Sequence, residues 1–170
     1  MIRKAKIKDT RQIYDLINYW AKQRAMLGRS LNAIYENIRD FWVFEENDRI
    51  VACCALHVIG WQGLGEIKSL AVDKRFHGRG IGRGLVEICL QESHSLGLQD
   101  VFALTFVPDF FKSLGFRKID KKKLPHKIWS DCVECVFFPD CKEIAVFFSL
   151  KKIKNCPKDR ESIFKIIQDG

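Results

Sequence analysis

The sequence predicts a single α/β domain built on a mixed, partly parallel sheet. Three observations lead to this prediction. Segments of strand-like composition alternate with segments of helical hydrophobic spacing through the middle of the chain, an order typical of helices packed on a sheet. The length of 170 residues suits one continuous core. A hydrophobic content of 47% with a charged content of 29% is typical of a globular protein in water.

The first sixty residues are predicted to form a strand, two helical segments and a hairpin. Residues 2–8 form a short strand, and Asp9 starts a helix as its N-cap residue, with Gln12 completing a capping box. Apolar residues at helical spacing define the buried face of this helix, namely Ile13, Leu16, Ile17, Trp20 and Ala21. A second amphipathic segment is defined in the same way by Leu31, Ile34, Tyr35 and Ile38. Residues 41–60 are predicted as two strands joined by a turn at Glu46–Asp48.

The rest of the chain continues the alternation of strand and helix. Further segments of strand-like composition are 65–72, 101–107 and 143–150. A helix that stops near Gly97 carries four apolar residues on one face, namely Ile81, Leu85, Ile88 and Cys89. Pro108 precedes another short helix. We therefore expect one domain over residues 1–150 and a basic tail over residues 151–170 with a helical segment of its own.

Charge and composition narrow the class of partner. The net charge of +8 predicts an anionic partner, which could be a nucleic acid, a phosphate-bearing cofactor or a dicarboxylic substrate. The chain has neither an aromatic–basic repeat nor a zinc-finger motif, so we expect no nucleic acid. The longest apolar stretch, residues 50–61, is interrupted by His57 and is too short to span a bilayer. A charged N-terminus and seven cysteines favour a cytoplasmic protein without a membrane partner, and homo-oligomerisation is left open.

Residues 72–85, VDKRFHGRGIGRGL, form a strand–loop–helix junction suited to anion binding. Glycines let backbone amides approach a phosphate, and the free amides and dipole of the following helix add positive potential. Arg79 and Arg83 would add charge and forked donors. The spacing G-x-G-x-G differs from the dinucleotide fingerprint G-x-G-x-x-G, and the G-K-[ST] ending of a Walker A loop is absent. A glycine-rich turn without a ligand is the alternative.

This junction resembles the acetyl-CoA signature of the GNAT acetyltransferase superfamily, [QR]-x-x-G-x-[GA]. Gly80 and Gly82 match it, whereas His77 stands where Gln or Arg is usual. The resemblance implies the GNAT (acyl-CoA N-acyltransferase) fold, a mixed central sheet flanked by helices, and acetyl-CoA as cofactor. It also implies that Leu70–Val72 pair with the pantetheine arm through their backbone while residues 78–83 hold the pyrophosphate. The implied cofactor-binding residues are Leu70, Ala71, Val72, His77, Gly78, Arg79, Gly80, Ile81, Gly82 and Arg83.

Further segments resemble one subgroup of this superfamily, the short N-acetylglutamate synthases that lack an amino-acid-kinase domain. The segments are MLGRS, GEIKSLAV, ALTFVPDFFKSLGF and LPHKIW. The resemblance implies an amino-acid N-acetyltransferase that acetylates the α-amine of L-glutamate, or a close relative such as glutamine, in the first step of arginine biosynthesis. Two alternatives stay open: acetylation of a protein N-terminus, a lysine or another amine, and a non-catalytic CoA-binding sensor. Phe111, which replaces a tyrosine common in the superfamily, supports the sensor.

The chemistry requires a base, a polarising group and a proton donor. Glu66, at the position used by the resembling synthases, is the candidate base that deprotonates the substrate ammonium; a solvated strand-edge carboxylate is the alternative. In a regular strand Glu66 shares one face with Lys68, Leu70 and Val72. A backbone N–H near Leu70 or Ala71 would polarise the thioester carbonyl. The donor to the thiolate is left open among solvent, Thr105 and Ser113.

A substrate with two carboxylates needs cationic partners. Arg29 is the candidate by resemblance, with Lys68 and Lys127 as further candidates, each having surface charge as its alternative role. The Lys121–Lys123 run is predicted to be a solvated face. A zinc site is conceivable at His126, Cys132, Cys135 and Cys141. A second paired half of such a site is missing, so we expect no metal. Cys53, Cys54 and Cys89 are predicted to be core residues.

Overall fold

The computed structural model describes residues 1–60, 63–124 and 142–153. Its strands are β1 (Ile2–Lys4), β2 (Phe41–Glu46), β3 (Arg49–Ile59), β4 (Leu64–Val72), β5 (Asp100–Thr105), β6 (Arg117–Ile119) and β7 (Ile144–Ser149). Its α-helices are α1 (Thr10–Lys22), α2 (Leu31–Glu36), α3 (Ile81–Ser95) and α4 (Pro108–Lys112). Short 3₁₀ turns span Ile7–Asp9, Ile38–Asp40, Lys74–Phe76, Lys121–Lys123 and Leu150–Ile153. Among these elements, none of the helices combines the length and apolar character needed to cross a membrane.

The strands form one mixed sheet in the order β1-β2-β3-β4-β5-β7-β6. The β4–β5 pair is parallel, while the other neighbouring strands run antiparallel. Helix α3 makes the crossover that a parallel pair requires. The predicted α/β class with a mixed sheet flanked by helices is confirmed.

The sheet carries a hydrophobic core on each face. On one face, Leu85 and Cys89 of α3 pack with Leu56 and Ile67 of the sheet. On the other face α1 and α2 cover the sheet, and its largest fully buried contributors are Ile13, Ile17, Ile34 and Val43. Burial of one such aliphatic side chain contributes about 1.5–3 kcal/mol, so these two clusters hold the helices against the sheet. Most of the predicted helical faces of α1 and α3 are confirmed, whereas Ala21 and Ile88 are only half-buried and lie outside both clusters.

The start of α1 differs from the prediction. Residues 7–9 form a 3₁₀ turn instead of continuing the first strand, and the Asp9 side chain makes no capping bond to α1. Asp9 Oδ2 instead accepts hydrogen bonds from Arg3 Nη1 and from the Lys6 amide, both at 2.7 Å. The Arg3 guanidinium holds the pKa of this buried carboxyl below its usual range. Gln12 Oε1 accepts from the Ile50 amide of β3 at 2.9 Å, so the predicted capping box is wrong because both side chains have tertiary partners.

Several local predictions agree with the structure. The β2–β3 turn contains Asn47 and Asp48 at φ +50° and +60°, as a tight hairpin requires. Cys53, Cys54 and Cys89 are fully buried, and burial raises the pKa of the Cys53 thiol to about 12. Lys122 and Lys123 are exposed, as expected for a solvated face. The predicted helical segment in the tail lies outside the described residues.

Candidate active site

The glycine-rich loop joins β4 to α3 in a conformation that only glycine adopts easily. Gly78 and Gly80 have φ of +75° and +73°, in the left-handed region. A Cβ atom at either position would meet no heavy atom within 4 Å, so the backbone there borders open space. Gly80 precedes the first turn of α3, whose initial amides have no partner within the helix. The loop therefore fits a diphosphate as the sequence predicted, and its contact with that group remains a prediction.

Strands β4 and β5 separate beside this loop. Their parallel pairing covers Leu64 to Glu66 on β4, whereas β4 itself continues to Val72. The β5-facing edge of β4 beyond Glu66 is therefore left unpaired with β5. Main-chain groups along such an edge can pair with an extended ligand. This geometry agrees with the expected role of Leu70, Ala71 and Val72 toward a pantetheine arm.

A bulge in β4 changes which side chains share a face. Cys53 pairs with Ala71 and Ala55 pairs with Lys68, so Cys54 alone lies opposite Ser69 and Leu70. Ser69 has φ +54°, which marks the bulged position.

The bulge reverses the alternation of side chains along β4. Leu70 and Val72 pack against the α3-side core, whereas Lys68 lies opposite Ala55 of the α1-side core. The prediction that Glu66 and Lys68 share a face with Leu70 and Val72 is therefore wrong. One extra residue in the strand reverses the alternation on which that prediction depended.

Glu66 lies where β4 and β5 part. It is the last β4 residue paired with β5, and it is buried, with 8% of its surface exposed. Its Oε2 atom lies 3.1 Å from Lys68 Nζ, and both side chains are largely shielded from water. A carboxylate at such a fork can accept a proton from an amine placed beside the unpaired strand edge. The alternative of a solvated strand-edge carboxylate does not match this burial.

A cavity of about 310 Å³ opens on the same face of the sheet. Its volume is at the lower end of the range for small-molecule sites. Two predicted substrate-binding residues, Arg29 and Lys68, line it together with bulge residue Ser69. The remaining lining residues are Ala33, Ile34, Asn37, Phe41, His57 and Ile59. The structure thus brings both described cationic candidates to one concave surface.

His57 and Asp40 form a pair at the cavity that the sequence did not predict. His57 lines the cavity, and its Nδ1 atom lies 2.8 Å from Asp40 Oδ2. In the sequence His57 had appeared only as an interruption of an apolar stretch. The sequence shows only a polar residue within an apolar stretch and acidic residues next to helices elsewhere in the chain. It does not show that the turn containing Asp40 lies beside the strand containing His57.

The His77 side chain contacts helix α1 and the end of strand β4. Its ring stacks on Trp20 of α1 with centroids 5.4 Å apart, and its Nε2 atom lies 3.0 Å from the Val72 carbonyl oxygen. Trp20 Nε1 donates to the same carbonyl at 2.9 Å. These bonds tie the end of β4 to α1 next to the glycine loop. A contact of His77 with cofactor remains a prediction.

The two loop arginines differ in their surroundings. Arg79 is exposed, with its guanidinium over the Phe76 ring at 4.8 Å, and can reach an anion on the loop. Arg83 instead turns toward the end of α4, where Nη2 donates to the Ser113 carbonyl at 3.2 Å and Nη1 lies 3.6 Å from Glu87. Burial raises the pKa of the Glu87 carboxyl, an effect that Arg83 opposes. A phosphate contact by Arg83 would compete with these bonds.

The candidate donors to the thiolate have internal partners. Thr105 Oγ1 accepts from the Val107 amide at 3.0 Å, and Ser113 Oγ donates to the Phe110 carbonyl at 2.7 Å. Phe111 is a core residue whose ring packs edge-on against Phe116. The choice among Thr105, Ser113 and solvent stays open.

Some predicted site residues lie outside the described residues. These are Lys127 and the conceivable zinc ligands His126, Cys132, Cys135 and Cys141. Within residues 1–60, 63–124 and 142–153, no group of three His, Cys, Asp or Glu side chains is arranged to hold a metal ion.

Comparison with known proteins identifies the family. The model of the acetyltransferase (GNAT) domain matches residues 37–118, a range that includes β4, the glycine loop and α3. An uncharacterised N-acetyltransferase of Chlorobaculum tepidum is 38% identical over 149 residues, covering 88% of this chain and 96% of the relative. An amino-acid acetyltransferase of Mycobacterium tuberculosis is 37% identical over 134 residues, covering 77% and 76%. The chain belongs to the GNAT acetyltransferase family.

Solved structures agree with this assignment. The crystal structure of Rv2747 from Mycobacterium tuberculosis, in complex with CoA and NLQ, has a TM-score of 0.74 at 31% identity and covers 88% of this chain and 99% of that one. N-acetylglutamate synthase of Neisseria gonorrhoeae has the same fold, with a TM-score of 0.81 at 24% identity, covering 88% of this chain and 35% of that one. The expected GNAT fold and enzyme class, an N-acetyltransferase that uses acetyl-CoA, are confirmed.

Proposed function

We propose that this enzyme acetylates the α-amine of L-glutamate, or of its close relative glutamine, as the first step of arginine biosynthesis in the cytoplasm. The observation that carries the proposal is the cavity in which Arg29 and Lys68 lie on one surface, with the buried Glu66 bonded to Lys68. The relatives named amino-acid acetyltransferase, and the Rv2747 complex with CoA and NLQ, support an amino acid as acceptor.

The cavity suits a small dianionic substrate. The forked donors of Arg29 can bind one carboxylate in a bidentate manner, and Lys68 can bind the second as a compact charge. Lys68 would then contact both that carboxylate and Glu66, and Glu66 would lie next to the amine of the substrate. A polyamine would bring positive charge to a surface that already has two cationic side chains. The charges therefore favour an amino-acid acceptor over a polyamine.

The chain's residues align the amine and remove its proton. Bound acetyl-CoA supplies an activated thioester, held by loop amides near Gly78 and Gly80 and by the free edge of β4. Glu66 accepts a proton from the substrate ammonium, and a backbone N–H beside the Ser69 bulge polarises the carbonyl. In the net transfer the nitrogen–carbon bond forms, the carbon–sulfur bond breaks and the departing thiolate takes a proton. Alignment of both partners supplies a further part of the acceleration.

Thiol release from acetyl-CoA across the twenty amino acids tests the proposal. We expect the highest kcat/KM with glutamate or glutamine, and a free peptide and a polyamine serve as controls for the other acceptor classes. Added arginine would reveal feedback inhibition. A higher kcat/KM for the peptide or polyamine would show that the acceptor is not a free amino acid. Tight acetyl-CoA binding without thiol release on any amine would favour the sensor.

Complementation tests the pathway. Expression of the chain in a bacterium that lacks its amino-acid acetyltransferase should restore growth without arginine. The Glu66→Gln variant, expressed to the same level, should not. If the wild-type enzyme is active in vitro but does not restore growth, the proposed role in arginine biosynthesis is refuted while the proposed reaction stands.

A further inference from the structure

A histidine–aspartate pair at the cavity has no role in the chemistry described so far. His57 lies on β3 and Asp40 in the turn before β2, and the two side chains meet at 2.8 Å. Because a carboxylate only accepts, Nδ1 of His57 carries the proton in this bond. That bond leaves Nε2 as the ring nitrogen available to a partner, and the ring lines the cavity. Such a pair has the orientation of a proton-transfer group.

The strand register places this pair next to Glu66. His57 and Glu66 are directly opposite residues of the antiparallel β3–β4 pair. Side chains of opposite residues stand on the same face with Cβ atoms about 4.5–5.5 Å apart. The side chain of Glu66 is 11% exposed, that of His57 is 19% exposed and that of Asp40 is 34% exposed. Exposure to solvent thus rises from Glu66 through His57 to Asp40.

A buried base needs a route by which its proton leaves. After one turnover Glu66 holds a proton that must go before the next ammonium is deprotonated. Lys68, bonded to Glu66, is a cation and a poor acceptor for that proton. A neutral imidazole is a suitable acceptor near neutral pH.

We propose that His57, oriented by Asp40, relays the proton from Glu66 to solvent; this deepens the proposed function and rests on Glu66 as the base. The Glu66 proton passes through one bridging water to Nε2, giving an imidazolium paired with the Asp40 carboxylate. The imidazolium then releases its Nε2 proton to water in the cavity, which restores the neutral ring with the proton on Nδ1 facing Asp40. His57 is thus a relay residue acting through Glu66, with no contact to the reacting atoms required.

The charges around His57 come from three segments. Asp40 contributes a carboxylate from its turn, β4 contributes Glu66 and Lys68, and Arg29 precedes α2. A ring that carries protons on both nitrogens has no lone pair left to accept the Glu66 proton. Replacing His57 should therefore change the pH dependence of kcat.

The test compares three variants with wild type on the amine that wild type acetylates best. His57→Asn keeps an amide donor near the position of Nδ1 but lacks the second ring nitrogen. Asp40→Asn removes the orienting carboxylate. His94→Asn is the matched control, since His94 is an exposed histidine at the end of α3. Coenzyme A binding and thermal unfolding show that each variant is folded.

The relay predicts a specific kinetic pattern. In His57→Asn, kcat falls about tenfold or more, KM changes less than threefold and the pH dependence of kcat changes. Asp40→Asn gives a smaller loss of the same kind, and His94→Asn resembles wild type. If His57→Asn does not fold, His57→Ala with added imidazole replaces it, and kcat should rise with imidazole concentration.

Two results would overturn the relay. An increase in KM at unchanged kcat would make His57 a substrate contact, and an unchanged kcat and pH profile would make it structural. The proposed function is judged separately, by the turnover of wild type with glutamate or glutamine. A wild type that acetylates a different amine refutes the substrate proposal, while the variants still decide the relay on that amine.

Discussion

The glycine loop and the cavity are built in opposite ways, although β4 contributes to the cavity and leads into the loop. The loop consists of consecutive residues, and its capacity to bind comes from the backbone at Gly78 and Gly80. The cavity collects the side chains of Arg29, His57 and Lys68 from three separate segments. A backbone site depends on conformation, whereas a side-chain site depends on the chemical identity of each residue.

The glycine loop is more exposed to solvent than the charged residues at the cavity. The glycines of the loop are exposed, whereas Glu66 and Lys68 beside the cavity are largely buried. Charges interact more strongly where water is excluded, so one charge change should alter the cavity more than the loop. The following predictions test this difference, beginning with the largest expected effect.

Neutralising the candidate base should give the largest change. Glu66→Gln should lower kcat about 100- to 10,000-fold because the ammonium keeps its proton, while coenzyme A binding stays nearly unchanged. Steady-state kinetics and calorimetry measure the two quantities. Glu36→Gln removes an exposed carboxylate at the end of α2 as the control. Full turnover in Glu66→Gln would refute its role as base.

Removing the cationic fork should affect substrate binding. Arg29→Gln should raise the KM for the amino acid about 10- to 100-fold, since a charge-assisted hydrogen bond contributes about 1.5–3 kcal/mol. Arg29→Lys should recover only part of this loss because an ammonium lacks the fork. Arg11→Gln, on the exposed surface of α1, controls for net charge. An unchanged KM in Arg29→Gln would show that Arg29 does not bind a carboxylate of the substrate.

A methyl group on the loop should weaken cofactor binding without touching the cavity. Gly80→Ala costs about 1–2 kcal/mol for its positive φ and should weaken coenzyme A binding about tenfold by calorimetry, with little change in the KM for the amino acid. Gly97→Ala is the matched control: its φ is +74° and its Cβ also meets open space, but it follows α3. Equal coenzyme A affinity in the two variants would show that the loop does not bind the cofactor.

The smallest expected effect concerns Asp73, which begins the turn before the loop. Arg75 lowers the pKa of the Asp73 carboxyl from 3.8 to about 2 through hydrogen bonds. A lowered folded-state pKa stabilises the protein above pH 4, and this stabilisation is lost as the pH falls toward 2. Asp73→Asn should therefore reduce the free energy of unfolding by less than about 1 kcal/mol at pH 5, because Arg75 is exposed.

Urea unfolding of wild type and Asp73→Asn at pH 5 and pH 3 measures this difference. The gap between the two proteins should narrow at the lower pH. Arg75→Gln should reproduce the gap by removing the partner instead. A gap that is independent of pH would mean that Asp73 acts by capping the turn and not by its charge.

Local sequence patterns were sufficient to predict much of the fold, while the roles of the site residues remain predictions. Apolar spacing predicted α1 and α3, and two strand-like segments predicted a turn at Glu46–Asp48, where the structure has Asn47 and Asp48 at positive φ. The glycine loop was predictable because its glycines are close together in the chain, and its contact with a diphosphate remains a prediction. Arg29 and Glu66 were found through resemblance to a family, and the structure adds that they lie on one side of β4.

The sequence by itself determined the order of strands and helices, apart from the short β6, and the position of the glycine loop, because these depend on residues within one or two turns of each other. Only the tertiary structure decided the partners of Asp9, the Ser69 bulge that moved Leu70 away from Glu66, and the meeting of His57 with Asp40. These features depend on the register between strands and on contacts between residues far apart in the chain. Periodicity along one segment does not specify such contacts, since they are set by the packing of the whole sheet.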